Sequence, residues 1–321
     1  MALDPADEIG IQSHHYLRIS LALIVLALFT AIGVYLVAGG GQWLPSISAY
    51  YYTPAHNVFV AALIAASAAL AALAGRGIET VFLDIAAVFA PLIALVPTGI
   101  NADTLGKIFP KKAPALTGAC DLNSNCIPVG YHAAIDNGIA TYMIVVVAVV
   151  LVTIGIRVRH VRSHRDPEHP RRQFFEEFTA PVIALLAVAG IGLLAFVAPF
   201  NKGFPFNAPV EPSVHLLATI LFFGMFTAVP VSNAIRWLSH KTDEKPYKAG
   251  YVIVYLVIPA VMIADIIVLL HFIGPHTTGS LVMICEATAL ALFAVFWVIQ
   301  TIQRWSDPSA PYLRAAQVNG A

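Results

Sequence analysis

Eight long apolar runs divide this sequence, and each is long enough to cross a lipid bilayer as an α-helix. A membrane-spanning helix needs roughly 20 mostly apolar residues to cover about 30 Å of hydrocarbon. Because the bilayer core offers no water to backbone N–H and C=O groups, only helices or closed barrels can span it. The runs therefore predict an all-α, polytopic integral membrane helix bundle. Its eight predicted spans are 17–38, 56–75, 78–100, 132–157, 178–200, 214–238, 249–272 and 280–302.

Composition argues against most other classes of protein. Hydrophobic residues make up 59% of the chain and charged residues only 11%, against roughly a quarter charged in soluble domains. Lys plus Arg and Asp plus Glu number 18 each, and the absence of a basic stripe argues against nucleic-acid binding. The sequence lacks a P-loop, a dinucleotide fingerprint and a nucleophile elbow. These absences argue against ATP-driven pumping, nicotinamide chemistry and ordinary serine esterases.

The positions of the cations predict the orientation of the bundle. With both termini in the cytoplasm, 14 of the 18 Lys and Arg residues lie on the cytoplasmic side and 4 lie outside, as the positive-inside rule requires. We therefore expect a cytoplasmic segment at 1–16, a transmembrane domain at 17–302 and a cytoplasmic tail at 303–321. Within the domain, 101–131 is predicted to be an outer loop and 158–177 a basic cytoplasmic loop. The expected location is the cytoplasmic (inner) membrane of a bacterium, crossed several times.

Two cysteines lie in the longest predicted outer loop. Cys120 and Cys126 are separated by five residues, and the predicted topology exports them to an oxidising compartment, which favours a local disulfide. Such a short ring would stiffen the loop and remove little entropy from the unfolded chain. Cys285 lies inside the last predicted span and is expected to be a small buried apolar residue.

Titratable side chains at membrane depth are functional candidates, because an unpaired charge in hydrocarbon costs several kcal/mol. His56, His215, His271, Glu286 and Asp265 all fall toward the outer ends or the middle of predicted spans. Glu286 shares one helical face with Leu290, Phe293 and Trp297, so its carboxyl is expected to point into the bundle. There Glu286 could carry a proton, act as a base or bind a ligand. The alternative is a plain hydrogen bond between helices.

A second group of candidates suggests a metal. His132 and Asp136 are four positions apart, which stacks them on one helical face, as two zinc ligands would require. Further ligands would have to come from His215, His271, His276 or Glu286, since no compact ligand motif is present. The alternative is that each histidine lies at the headgroup boundary and is satisfied by water. A zinc site is therefore a hypothesis that needs convergence of several helices.

The first outer loop, Gln42 to His56, contains Tyr50, Tyr51 and Tyr52. These tyrosines suit the aromatic belt at a membrane interface, and neighbouring serine and threonine hydroxyls suit helix caps. The alternative is that the loop folds over the outer mouth of the bundle and helps to close a pocket.

Four stretches of the chain carry a resemblance to a known family. They are Ser46 to Thr53 followed by Phe59, then Pro97 and Thr98, then Val214 to Phe223, and finally Glu286 to Trp297. Together they resemble a family of bacterial polytopic membrane proteins, usually of six helices, with an S-I-S-x-Y-Y outer loop. The resemblance covers roughly 17–100 and 213–303, and no activity is established for that family. This chain departs by an additional helix pair, which contains His132 and Asp136, so a site joining them to His215 and Glu286 lies outside the family pattern.

Three functions fit these observations. The first is binding or transport of a small molecule or lipid through an outward-facing polar pocket, with Glu286 and Asp265 as proton-linked or ligand-pairing groups. The second is a membrane-embedded zinc-dependent hydrolase acting on a lipid ester or amide, with Asp136 or Glu286 as general base. The third is a structural or assembly partner of another membrane protein, through small residues of the second span that permit close helix packing. These residues are Ala61, Ala62, Ala65, Ala66, Ser67, Ala68, Ala69, Ala71 and Ala72.

Overall fold

A computed structural model describes residues 5–38, 42–73, 78–109, 127–163, 170–197, 214–239, 249–272 and 279–304. These residues form nine α-helices and two 3₁₀ turns, and the described part of the chain contains no β-strand. The helices are α1 (Pro5–Ala38), α2 (His56–Leu73), α3 (Ile78–Leu95), α4 (Ala102–Ile108), α5 (His132–Ser163), α6 (Pro170–Phe196), α7 (Val214–Ser239), α8 (Ala249–Phe272) and α9 (Gly279–Arg304). The 3₁₀ turns are Ser48–Tyr52 and Val129–Tyr131.

Eight of these helices, all but the short α4, are long and apolar enough to span a membrane. The predicted all-helical, multi-pass architecture is confirmed to that extent. Helix α3 ends earlier than the sequence predicted, at Leu95 instead of residue 100. The last helical hydrogen bond runs from Val96 N–H to the Leu92 carbonyl. Pro97 then ends the ladder, because it has no N–H and disfavours helical backbone in the residue before it.

Helix α3 is the centre of the bundle. It packs against α2, α5, α6 and α7, while α1 lies against α2 and α9, and α8 lies against α7 and α9. Helices α5 and α6, the additional pair, pack on each other and on α3. Of the eight spans, α3 has the largest buried share. Groups at the end of α3 are therefore positioned by helices on several sides.

Pro91 lies inside α3, and a neighbouring helix satisfies the backbone carbonyl that this proline leaves without a donor. Pro91 cannot donate to the Ala87 carbonyl, four positions earlier. The Ser67 hydroxyl of α2 donates to that carbonyl instead, at 2.7 Å. Membrane helices tolerate proline where a neighbouring helix satisfies the freed group in this way. Prolines also lie inside α6, α7 and α8, as Pro181, Pro230 and Pro259.

An ion pair joins α3 and α5 near the opposite end of the bundle from the first loop. Arg157 Nη2 donates to Asp84 Oδ2 at 2.8 Å, and the two side chains are 17% and 15% exposed. Pairing offsets the desolvation of each charge, which would otherwise be expensive at membrane depth. The pair thus gives Asp84 a charged partner on a neighbouring helix.

Candidate functional site

A hydrogen-bonded network joins the first loop to three helices. Ser48 Oγ lies 2.7 Å from His215 Nε2 and 3.2 Å from Glu286 Oε1. Ile47 N–H donates to the other carboxyl oxygen, Glu286 Oε2, at 2.5 Å. His215 Nδ1 donates to the Val96 carbonyl at 2.7 Å. We call Ser48, His215 and Glu286 the Ser48 network.

Local sequence explains how each member is positioned. Ser46 folds the loop into a 3₁₀ turn, because its hydroxyl accepts from Ala49 N–H at 3.0 Å. The turn begins at Ser48, so the preceding N–H of Ile47 has no partner within it and is satisfied by the Glu286 carboxyl. Helix α3 ends at Leu95 and Pro97 prevents it from continuing, which leaves the Val96 carbonyl available to His215. His215 lies at the start of α7 and Glu286 in the second turn of α9.

The Ser48 network can hold its protons in two arrangements. The Val96 carbonyl can only accept, so His215 Nδ1 carries a proton. Ser48 has one hydroxyl proton, which it can give either to His215 Nε2 or to Glu286 Oε1. In the first case Glu286 must be protonated to complete the second bond, and in the second case His215 must be an imidazolium. Both arrangements hold the same number of protons and have zero net charge, so a proton can move between Glu286 and His215 through the Ser48 hydroxyl.

Burial keeps the network away from bulk water. Ser48 is 4% exposed and His215 5% exposed, while Glu286 is partly buried. Electrostatic interactions are stronger in such surroundings than in water, and an unpaired charge there is expensive. A neutral network with every polar atom bonded avoids that penalty.

The first loop folds into the bundle and does not form an exposed aromatic belt. Tyr50, Tyr51 and Tyr52 are 0%, 4% and 2% exposed. The Tyr52 hydroxyl donates to the Thr98 carbonyl at 2.7 Å. Burial raises the pKa of the Tyr52 phenol well above its ordinary value, with a smaller contribution from Tyr51, so Tyr52 stays a donor at physiological pH. The burial of the three rings does not fit an interfacial belt and favours the alternative that the loop folds over the bundle.

The other outer candidates whose contacts are known bond to backbone carbonyls. His56 Nδ1 donates to the Tyr51 carbonyl at 2.7 Å, and its ring packs on the Tyr51 ring. His132 Nε2 lies 2.9 Å from the Ile127 carbonyl. Asp136 and His271 are exposed. Of the described candidates, His215 and Glu286 share a hydrogen-bonding partner in Ser48, whereas His276 lies outside the described residues.

Asp265 is the remaining acidic candidate. It lies on α8 and is partly buried, and its Oδ2 atom has no hydrogen-bond partner among the described residues. A carboxyl in this position is a candidate for a proton or ligand, as the sequence suggested.

No metal centre is visible in the part of the chain that the structure describes, where no group of three or more His, Cys, Asp or Glu side chains could hold an ion. His132 and His215 bond to carbonyls on separate elements, at Ile127 and Val96. Cys120 and Cys126 lie outside the described residues, so their disulfide stays a prediction. Cys285 is buried, as expected of a small apolar residue.

Sequence reasoning missed two members of the site. Ser48 was considered only as a capping hydroxyl, and Val96 was not considered at all. Pro97 could have indicated Val96, because a proline at a helix end leaves carbonyls in need of donors.

Comparison with family models, curated proteins and solved structures found no match for this chain. The resemblance to a bacterial six-helix family therefore stays a prediction.

Proposed function

We propose that this chain is an integral membrane protein that binds or transports a small molecule or lipid, and that binding is linked to the protonation of the Ser48 network. The network carries the proposal because it can hold one proton on either Glu286 or His215 and because it ties the first loop to α3, α7 and α9. A ligand that displaces Ile47 N–H or the Ser48 hydroxyl from Glu286 would change where the proton lies in the network. Ligand binding and proton position would then be coupled.

The distribution of cations supports an orientation for this proposal. With both termini in the cytoplasm, the loop that contains Ser48 faces the outside of a bacterial cytoplasmic membrane. The ligand would then enter from the outer leaflet or from the external solution. Asp265, whose Oδ2 atom bonds to none of the described residues, would be a second acidic group that could take the proton or pair with the ligand.

The test uses the purified full-length protein in phospholipid nanodiscs. Native mass spectrometry would identify any lipid or small molecule that the protein retains. The retained compound is then titrated into weakly buffered protein with a pH-sensitive dye. We expect binding accompanied by proton release or uptake, with affinity at least about tenfold weaker in Glu286→Gln, which corresponds to about 1.4 kcal/mol.

Asp103→Asn is the matched control, because Asp103 is an exposed carboxyl on α4. It should leave both affinity and proton exchange unchanged. The proposal fails if the wild-type protein retains nothing beyond the bulk lipids, or if Glu286→Gln binds and exchanges protons as the wild type does.

Assembly with another membrane protein is a second candidate, favoured by the outer face of α2. Ala61, Ala65, Ala68 and Ala72 are exposed there, whereas Ala62, Ala66 and Ala69 are buried within the bundle. Small outward residues permit close approach of another helix. Replacing Ala65 and Ala68 with Leu should then abolish a co-purifying partner, and this candidate fails if no partner is present. The zinc hydrolase stays a prediction that no contact among the described residues favours.

A further inference from the structure

The Ser48 network contains the arrangement that activates a serine. A nucleophilic hydroxyl needs a base within hydrogen-bond reach, and the base needs a third group that orients it. His215 Nε2 lies 2.7 Å from Ser48 Oγ. The Val96 carbonyl, 2.7 Å from His215 Nδ1, fixes the tautomer in which Nε2 is free to accept a proton.

The geometry points to acyl transfer at this site, with Ser48 as the nucleophile, His215 as the general base and an acyl-lipid ester as the substrate. The sequence argues only against the strand–turn–helix elbow of ordinary esterases. Here the serine begins a 3₁₀ turn, and its base comes from a helix 167 positions later in the chain. Nucleophile–base pairs recur on unrelated folds, so they are identified by geometry and not by sequence order.

The chemistry balances without a metal or a redox partner. Ser48 Oγ attacks the acyl carbon as its proton passes to His215 Nε2, and the carbonyl electron pair moves to the oxygen. When the intermediate collapses, the bond between the acyl carbon and the alcohol oxygen breaks, and that oxygen takes the proton from His215. Water then repeats the sequence on the acylated serine, with His215 as base, and releases a fatty acid and the original Ser48 hydroxyl. The net reaction is ester plus water to acid plus alcohol.

The position of the site suggests the substrate class. Ser48 and His215 are 4% and 5% exposed and lie where the first loop meets the ends of membrane-spanning helices. An ester with a long acyl chain can enter such a site from the bilayer, whereas a water-soluble ester would have to leave its hydration shell. If the spans cross the bilayer as predicted, their ends lie near the boundary between headgroup and hydrocarbon, where acyl lipids carry their ester groups.

Glu286 is a positioning residue in this reaction. Its Oε2 atom accepts a hydrogen bond from Ile47 N–H at 2.5 Å, and its Oε1 atom lies 3.2 Å from Ser48 Oγ. The carbonyl carbon of the ester must lie next to Ser48 Oγ for the attack. The Glu286 carboxyl therefore has to move away from Ser48 Oγ when the substrate binds. The inference rests on the proposed ligand site, and it adds a covalent step that binding alone does not require.

The decisive experiment is covalent labelling of the full-length protein in detergent micelles with a long-chain alkyl fluorophosphonate, which reacts with activated serines. Intact-mass and peptide mass spectrometry report the extent and position of labelling. We expect one adduct, at Ser48, that Ser48→Ala abolishes. His215→Ala should slow labelling by about 100-fold or more, which is the usual contribution of a general base.

Ser232→Ala is the matched control and should be labelled like the wild type, because among the described residues the Ser232 hydroxyl bonds to the Val229 carbonyl of its own helix and to no base. Circular dichroism and gel filtration establish that each variant is folded. An unlabelled wild-type protein, an adduct on another residue, or an unchanged rate in folded His215→Ala would each overturn the inference. Lipid retention measured by native mass spectrometry is independent of labelling, so a protein that binds lipid without reacting would refute only the covalent step.

Discussion

Glu286 on α9 accepts a hydrogen bond from the backbone N–H of Ile47, 239 positions earlier in the chain. The same carboxyl contacts the Ser48 hydroxyl. Glu286 thus fixes the first loop, and the loop in turn bonds both oxygens of the Glu286 carboxyl. Stability and any ligand chemistry at Glu286 are therefore coupled through one contact.

Removing the Glu286 carboxyl should destabilise the protein. Glu286→Ala leaves Ile47 N–H buried without an acceptor, and an unsatisfied buried group costs about 1 to 3 kcal/mol. Glu286→Gln keeps an acceptor oxygen and should lose less than half as much. The measurement is reversible unfolding in mixed micelles with increasing denaturing detergent, with Asp103→Asn as the exposed control. Equal stability of Glu286→Ala and the wild type would show that the contact contributes nothing.

The Ser67 hydroxyl should matter only while residue 91 is proline. Ser67→Ala leaves the Ala87 carbonyl without its donor and should cost about 0.6 to 2 kcal/mol, the range for such bonds between membrane helices. Pro91→Ala supplies a helical N–H to that carbonyl, so Ser67→Ala should cost much less in this background. A double-mutant cycle on the free energy of unfolding measures the coupling. Strict additivity of the two substitutions would contradict this account.

The sequence predicted the helices well because a bilayer imposes a one-dimensional constraint. Each span must be apolar over roughly 20 residues, and that can be read without knowing its neighbours. The inward direction of Glu286 was also predictable, since the helical period places it above Phe293 and Trp297, which are 2% and 1% exposed. Only the ends of helices, such as the early end of α3 at Leu95, needed the structure.

The partners of the titratable groups were not predictable, because each contact depends on how helices pack. Arg157 is one of the cations that predict the topology, and nothing in the sequence indicates that it pairs with Asp84, 73 positions away. Three consecutive tyrosines are typical of an interfacial aromatic belt, but tyrosines can equally pack inside the bundle, as these three do. The local sequence cannot distinguish an interfacial loop from a buried one, because burial depends on whether the neighbouring helices leave space for the tyrosine rings.

The Arg157 and Asp84 pair should behave as a coupled unit. Either Arg157→Gln or Asp84→Asn leaves the partner charge poorly compensated, and breaking a buried pair costs about 3 to 5 kcal/mol. The double substitution removes both charges and should recover at least about half of the loss. Unfolding free energies of the two single variants and the double variant test this. If the single variants were as stable as the wild type, the pair would contribute no more than a solvated surface salt bridge and the prediction would be wrong.

Alkaline pH should weaken the first loop through Tyr52. Burial raises the pKa of its phenol in the folded protein above the ordinary value of 10.0. Above pH 10 the folded state therefore holds a proton that the unfolded chain has lost, so stability falls as pH rises. Tyr52→Phe should cost about 0.5 to 1.5 kcal/mol at neutral pH, through the lost bond to Thr98. The same variant should show a shallower loss of stability between about pH 10 and 11, and identical slopes in the two proteins would refute the assignment.

The native cysteines provide a test of orientation and of the predicted disulfide together. Cys120 and Cys126 belong to the loop expected outside, whereas Cys285 is buried in α9. A membrane-impermeant maleimide added to intact cells should label the protein only after mild reduction, because a disulfide blocks both thiols. Labelling should disappear in the double variant Cys120→Ser and Cys126→Ser, which controls for Cys285. Labelling before reduction would exclude the disulfide, and labelling that requires permeabilised cells would place the loop in the cytoplasm and invert the proposed topology.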